Sequence, residues 1–392
     1  LHSGAMATRR RVACFAALCL GLAAGSRSLA GRTRLAVSKR ARVVLEDPAS
    51  KADPLETVRW LPPLDTLRAA EADDGQMVLP VFPLGVAYLP YTKHTLNIFE
   101  PRYRQLYNDV LFTGARRFVV PMVDEATGRL ARCGVVFYID DLQEVSEKTG
   151  DQVKYVCSHT VIGRVEMTKV LNPEAWRTRE TYLKAQVRAL EDDDPSKDGD
   201  PPSPEEAARC AELEKGLLAA LGDLVATQRE AEELPRFADN VAEAANVTRA
   251  ADGGGFWGFA EAWHSLMEQR VLTLQQRTQA EVYQKVVKYL QAQSDGPLPG
   301  FVNVDDLPEG IREELARIQA QYQAQLKDMD HDPYGQSFQL LVQAESHADR
   351  LELLTRMVRR EQRRARTAMS LKKLFGGDAS ATTEDAPPEE RL

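Results

Sequence analysis

Residues able to do chemistry are few and scattered. His94, His159, His264, His331 and His347 stand far apart in the chain, and none lies in H-E-x-x-H, the spacing that sets two zinc ligands on one helix face. No G-x-S-x-G elbow presents a nucleophilic serine. Cys157-Ser158-His159 puts a thiol and an imidazole on one face of a strand, and Cys133 completes a metal cluster only if its strand lies alongside. The paired C-x2-C spacing of zinc sites is missing, so buried or edge thiols are expected. A Cys-His nucleophile is no better supported, because positions i and i+2 share a face whether or not they react. Gly253-Gly254-Gly255 runs into Phe256-Trp257 with no following Lys-Ser or Lys-Thr, which makes it a joint before a helix and not a phosphate cradle. Asp192-Asp193-Asp194 is a solvated charge run. These residues give no catalytic group, no metal ligand set and no cofactor site.

One charged element stands out. Arg356, Arg359, Arg360, Arg363, Arg364, Arg366, Lys372 and Lys373 face Glu361 alone, beside an apolar face of Leu351, Leu354, Met357 and Val358. Such a helix suits RNA, an anionic membrane or an acidic partner, or it is a solvated face balancing an acidic protein, which is the reading preferred here.

The elements that must position any site follow from composition and pattern. With 392 residues, 43% apolar, the chain can build two or three units with buried cores. No apolar run reaches the roughly 18 residues of a membrane-spanning helix, and five cysteines exclude a disulfide-dense scaffold. A net charge of −8 speaks against a dedicated nucleic-acid binder. All 58 acidic residues lie after residue 45. Before them, Arg9-Arg10-Arg11 precedes the apolar stretch Val12 to Ala24, and an Arg-rich stretch follows to Val44. That order is a signal segment joined to a transit segment, so residues 1–45 are expected to be a bipartite targeting leader, for a plastid first and a mitochondrion second.

Residues 46–76 are expected to link this leader to the first domain, with a short helix within Leu55 to Ala70. Short strands are expected at Val78 to Phe82, Phe118 to Val123, Arg132 to Ile139, Gln152 to His159, Val161 to Val170 and Thr181 to Leu190, with a hairpin at Ala126-Thr127-Gly128 and an acidic turn at Asp140-Asp141. One helix interrupts them: Pro101 opens it, and Tyr103, Leu106, Tyr107, Val110 and Leu111 recur at three- and four-residue spacing. Several close strands after one helix suggest a small twisted barrel and not alternating βαβ units. Residues 195–204 form an acidic, Pro-rich loop. Residues 205–375 are helical, with helices over Glu205 to Glu233, Phe256 to Gln293, Leu307 to Leu326 and Asp332 to about Lys373. Residues 376–392 are expected to be an acidic, Pro-containing, disordered tail.

Two words in this pattern resemble a known family. Leu79-Pro80-Val81-Phe82-Pro83-Leu84-Gly85, followed by Ile98-Phe99-Glu100-Pro101-Arg102-Tyr103, is similar to the opening signature of the LON substrate-binding domain, the amino-terminal domain of Lon proteases. Arg117-Phe118-Val119-Val120, Gly134-Val135-Val136, Gly163-Arg164-Val165 and Tyr182 to Val187 fit the strands that follow in that family. The resemblance covers residues 77–194 well, and stand-alone plastid LON-domain proteins of plants and algae give the nearest picture. Val86 to His94 departs from the family's compact apolar segment. The resemblance implies an α+β protein: a PUA-like β pseudobarrel followed by a mostly helical C-terminal region.

Physically, Pro80 and Pro83 interrupt pairing, Gly85 permits a turn, and Phe99 and Tyr103 pack a helix start on the sheet. Glu100 meets the helix dipole, and Arg102 or Arg104 is free to pair with a carboxylate. The ATPase phosphate loop and the Ser-Lys dyad of complete Lon proteases have no counterpart here, so the expected role is non-enzymatic. It is to hold protein or unfolded polypeptide segments as an adaptor for proteolysis or quality control, with a separate ATP-dependent protease as a further partner. RNA binding through the basic helix is the alternative. The candidate peptide-binding residues are the aromatics Tyr88, Tyr91, Phe99 and Trp176, the last on a loop or in the core.

Overall fold

Alternating burial along β-branched and aromatic runs builds the first part of the molecule. The computed structural model describes residues 57–124, 126–190, 203–249, 255–293, 302–328 and 335–375. The leader, the start of the linker, nearly all of the acidic loop, the first glycines of the joint and the tail lie outside the described residues. The strands are β1 (Met77–Val81), β2 (Lys93–Ile98), β3 (Arg117–Val123), β4 (Leu130–Glu144), β5 (Tyr155–Val170) and β6 (Leu183–Leu190). Beside single turns at Ser146–Thr149 and Val241–Ala244, the helices are α1 (Pro101–Phe112), the single turn α2 (Ala175–Thr178), α3 (Pro204–Glu230), α4 (Phe256–Gln293), α5 (Glu309–Asp328), α6 (Gln336–Gln343) and α7 (His347–Phe375).

Strand order is β5-β4-β3-β1-β6, and β6 returns to pair with β5, closing a five-stranded barrel. β1 and β3 run parallel; the other pairs are antiparallel. β2 lies outside the ring, on the first half of β5, with Lys93 opposite Thr160 and Ile98 opposite Tyr155. The barrel interior holds Leu79, Val81, Val119, Leu130, Val136, Val165, Met167 and Val187. β3 and β4 approach so closely that a Cβ on Gly134 would lie 2.9 Å from the Val120 carbonyl, so only glycine fits there.

Several expectations change. Asp140-Asp141 is no turn: it sits inside β4 at an irregularity in the β4–β5 register, where Thr160 Oγ1 donates to Asp140 Oδ2 at 2.6 Å. The runs at 152–159 and 161–170 are one long bent strand, β5, shared between β2 and β6. Residues 57–64 of the expected linker pack on the barrel, with Trp60 bridged to Ala131 and Leu61 and Leu64 buried.

In the same compact unit, α3 starts as its sequence predicts: Ser203 caps it by accepting from the Glu206 N–H at 3.2 Å, with Pro204 in the first turn. It packs Leu217, Leu221, Leu224 and Val225 inward, and α7 lies against it. The expected last helix is two, broken at residues 344–346. Arg164, buried in β5, takes the carbonyls of Val342 and Ala344 at 2.7 and 2.8 Å, while Ser346 Oγ accepts the Asp349 N–H to start α7 anew. Arg59 binds the Gln343 carbonyl at 2.8 Å and Arg350 the Ala344 carbonyl at 3.5 Å, so three arginines gather the C-terminal carbonyls of α6. A second compact unit holds the end of α4 and α5, joined by Val282, Val286, Leu307, Leu315 and Ile318 and by a Lys285–Glu314 ion pair at 3.0 Å. Among the described residues, no helix is long and apolar enough to cross a membrane.

Candidate functional site

The chain leaves β1 at Phe82 and stays bonded to β3: the Phe82 and Leu84 N–H groups donate to Val119 and Pro121, and Leu84 accepts from Val123. Across from this segment run Leu96, Asn97 and Ile98 of β2, which is bonded to β5 on its far side. Between them lies a groove of about 190 Å³, bordered by Phe82, Pro83 and Leu84 on one side, by Leu96 to Ile98 on the other, and by Phe99, Glu100, Arg102, Tyr103 and Trp176. That is room for about six waters or one large side chain, below the 300 Å³ at which pockets for drug-sized molecules begin.

The lining is held in place around a free Phe99 ring. Pro101 starts α1, which fixes Phe99 and Glu100 just outside the helix. The Glu100 carboxylate does not cap the helix; it accepts from Arg102 Nε at 2.9 Å. Arg102, 9% exposed, lays its guanidinium over the Tyr103 ring at 4.4 Å and reaches the Trp176 ring at 5.9 Å. Tyr103 stacks on Phe82 at 4.0 Å, and burial pushes its phenol up to about 12, so it stays neutral. Arg104 binds the Phe99 carbonyl at 2.9 Å and both oxygens of the Asp151 carboxylate at 3.0 Å. The backbone of Phe99 is therefore fixed while its ring is 56% exposed. Trp176, on the single turn α2, packs partly on the barrel core and partly on the groove.

Of the four aromatic candidates, the groove brings together Phe99 and Trp176. Tyr88 is half-buried elsewhere, edge-on to His94 at 4.5 Å and Phe137 at 5.2 Å, and Tyr91 turns the chain with φ 64° while donating its N–H to Val161. Among the signature residues, Phe82, Pro83, Glu100, Arg102 and Tyr103 line the groove. Pro80 sits within β1 opposite Lys184, and Gly85 and Pro101 shape its approaches without lining it. Sequence reasoning missed Leu96, Asn97 and Ile98, because β2 went unrecognised. The alternation of His94, Leu96 and Ile98 was the available signal.

The thiol and imidazole chemistry weighed above is closed off. Cys133 lies opposite Glu166 and Cys157 opposite Leu142, so the two thiols are not neighbours. Burial pushes the Cys157 thiol up to about 12. His159, with no exposed surface, donates from Nδ1 to the His94 carbonyl at 3.3 Å, which leaves Nε2 to accept the Tyr107 hydroxyl at 2.7 Å. Burial lowers its pKa to about 4. Among the described residues, no group of three or more His, Cys, Asp or Glu could hold a metal.

On α7 the charge run divides. Arg364 turns inward to Glu233 and Glu361, whereas Arg356, Arg359, Arg363 and Arg366 are exposed along one face. A wider cleft of about 720 Å³ between α3 and α7 carries both signs of charge, from Asp223 and Glu230 to Arg229 and Arg366.

Residues 78–251 match the family model of the ATP-dependent protease La (LON) substrate-binding domain. Among solved structures, a Lon N-terminal domain protein from Xanthomonas campestris is 26% identical over 43% of this chain and 88% of that one, with a TM-score of 0.25. The N-terminal domain of the Mycobacterium avium complex Lon protease is 15% identical over 43% and 75%, with a TM-score of 0.27. No curated protein matches the chain.

Proposed function

We propose that this chain, which carries a LON substrate-binding domain at residues 78–251, holds apolar segments of other polypeptides in the groove between Phe99 and Trp176. It works as an adaptor or recruiter for proteolysis or protein quality control, handing segments to a separate ATP-dependent protease. It has no catalytic step of its own. The leader read at residues 1–45 sets this work in an organelle, a plastid first. The observation that carries the reading is an exposed phenylalanine, 56% open to solvent, beside a groove sized for one side chain and walled by Tyr103, Arg102 and Trp176. Exposure alone does not single it out, since Phe112 is 95% exposed; Phe99 differs in lying at the groove on backbone held by Arg104, which makes it a rigid anchor.

The test is a titration of the full chain with a fluorescent, permanently unfolded polypeptide. Burying one aromatic ring is worth about 1.5–3 kcal/mol, so Phe99→Ala and Trp176→Ala are each expected to weaken binding about tenfold to a hundredfold. Tyr88→Phe, outside the groove, leaves it unchanged. Full binding by both alanine variants sinks the reading. A second reading, RNA held along α7, is favoured by the exposed arginines at 356, 359, 363 and 366. It predicts binding that falls steeply with salt, whereas capture of an apolar segment survives it.

A further inference from the structure

The two most buried polar side chains of the groove have unmet donors. Arg102 is 9% exposed and Tyr103 6%. Arg102 gives its Nε–H to Glu100 at 2.9 Å, and its two terminal nitrogens meet no acceptor among the described residues. Arg164, equally buried in β5, instead gives a terminal nitrogen to the Val342 and Ala344 carbonyls. The tyrosines show the same contrast. Tyr107, Tyr155 and Tyr182, all buried, place their hydroxyls on His159, Asn108 and Asp109 at 2.7, 2.8 and 2.6 Å. Among the described buried tyrosines, Tyr103 alone has a hydroxyl with no partner, and it lies with Arg102 in the groove lining. Buried polar groups are normally satisfied, so two such ends in one recess point to a group that arrives from outside.

What they lack is an acceptor. Burial keeps the Tyr103 phenol protonated, so it donates, and a guanidinium only donates. The paired terminal nitrogens match the two oxygens of a carboxylate, whereas a single carbonyl oxygen leaves most of their N–H groups unmet. The charges acting on the Tyr103 hydroxyl are Arg102 and Arg179 against Glu100, so a carboxylate placed there is compensated. Over the lining and the α2 turn the charges balance, with Arg102, Arg177 and Arg179 against Glu100, Glu174 and Glu180. No long-range attraction selects an acid; the guanidinium fork does so at contact.

The other walls are apolar, among them Phe82, Leu84, Leu96, Ile98 and Trp176, around room for one side chain. An internal Asp or Glu would serve the fork and leave those walls bare. An internal Phe or Leu would fill the walls and leave the fork unmet. The last residue of a chain carries an apolar side chain and a carboxylate on one carbon and satisfies both.

We infer that the groove takes the end of a polypeptide: a C-terminal apolar residue, its α-carboxylate on the Arg102 fork and the Tyr103 hydroxyl, its side chain between Phe99 and Trp176. The inference rests on the groove being the segment-binding site, and it goes further by naming which part of the polypeptide enters and which two residues select it.

The probe is a fluorescein-labelled nine-residue peptide of Gly and Ser ending in Phe, titrated with the full chain. It is compared with the same peptide ending in a primary amide, with one in which Gly-Ser follows the Phe, and with N-acetylphenylalanine as competitor. The amide and the extended peptide are expected to bind at least about tenfold more weakly than the acid. Tyr103→Phe keeps the ring stacked on Phe82 and removes the hydroxyl. It is expected to weaken the acid about threefold to tenfold, leaving the amide and the urea midpoint unchanged. Arg102→Lys keeps the charge and loses the fork, which brings acid and amide to within about threefold of each other. If Arg102→Lys fails to fold, Tyr103→Phe and the wild-type comparison decide. Equal binding of acid and amide by the wild type, with Phe99→Ala still weakening both, overturns the chain-end proposal and leaves the groove reading standing. Binding of every peptide unaffected by Phe99→Ala and Trp176→Ala overturns both. N-acetylphenylalanine binding as tightly as the peptide gives the fork to a small acid and overturns the chain-end proposal, as does no binding of the acid peptide up to millimolar concentration.

Discussion

Protonating His159 should loosen the barrel at mildly acid pH. The ring is fully buried among Tyr107, Phe118 and Phe137, and its surroundings leave no room to hydrate a cation. Burial holds its pKa near 4 against an ordinary 6.5, with the charges of Asp140 and His94 acting in opposite senses. The folded pKa is depressed, so the unfolded chain takes up the proton first as pH falls. The stabilising contribution is complete above about pH 6.5 and drains away down to about pH 4. The loss comes to about 2 kcal/mol at pH 5 and about 3 kcal/mol at pH 4, from about 1.4 kcal/mol per pKa unit. Urea unfolding of the barrel at pH 7.5, 6 and 5 measures it, with His159→Gln as the reference because glutamine accepts the Tyr107 hydroxyl and does not titrate. The wild type is expected to lose about 2 kcal/mol across this range and the variant under about 0.5 kcal/mol. Parallel pH profiles for the two proteins, or a histidine NMR signal for residue 159 that titrates near pH 6.5, would refute the reasoning.

Two further substitutions probe the close approach of β3 to β4 and the arginine contacts that end α6. Gly134→Ala drives a methyl into the Val120 carbonyl, 2.9 Å away on backbone that cannot swing aside, and is expected to cost about 1–3 kcal/mol in denaturant unfolding; a neutral result would mean that β3 and β4 separate easily. Arg164→Met strips charge-assisted bonds from the Val342 and Ala344 carbonyls and is expected to cost about 3 kcal/mol, with faster amide exchange in α6 and the start of α7 while α5 is unchanged.

What the sequence made legible was local. The start of α1 is written in Pro101 and in the spacing of Tyr103, Leu106, Tyr107 and Val110, all of which are buried as the period requires. Ser203-Pro204 likewise names the first turn of α3. The features that escaped depend on partners far away in the chain. The break between α6 and α7 has no glycine or proline at residues 344–346; it is made by Arg164, some 180 residues earlier, drawing carbonyls out of helical register. β2 is short and polar on its open side, so its period-two signal rests on His94, Leu96 and Ile98 alone. That weakness is itself informative. A strand buried on both faces carries a near-continuous apolar run, whereas β2 is exposed at Lys93, Thr95 and Asn97 and carries only half of one.

The two family-like words were legible for a related reason. Phe82 and Tyr103 stack at 4.0 Å to join β1 to α1, and the same two rings form the floor of the groove. Their fold role and their site role are one arrangement, so replacing either is expected to disturb both. Phe99 has no such double duty. Its backbone is tied to Arg104 and its ring packs little, which makes it the residue whose loss should separate binding from stability. If Phe99→Ala lowers segment affinity with the urea midpoint unmoved, the ring serves a partner. If it lowers the midpoint in proportion, the ring is packing that the fold needs, and the groove loses its claim to be the site.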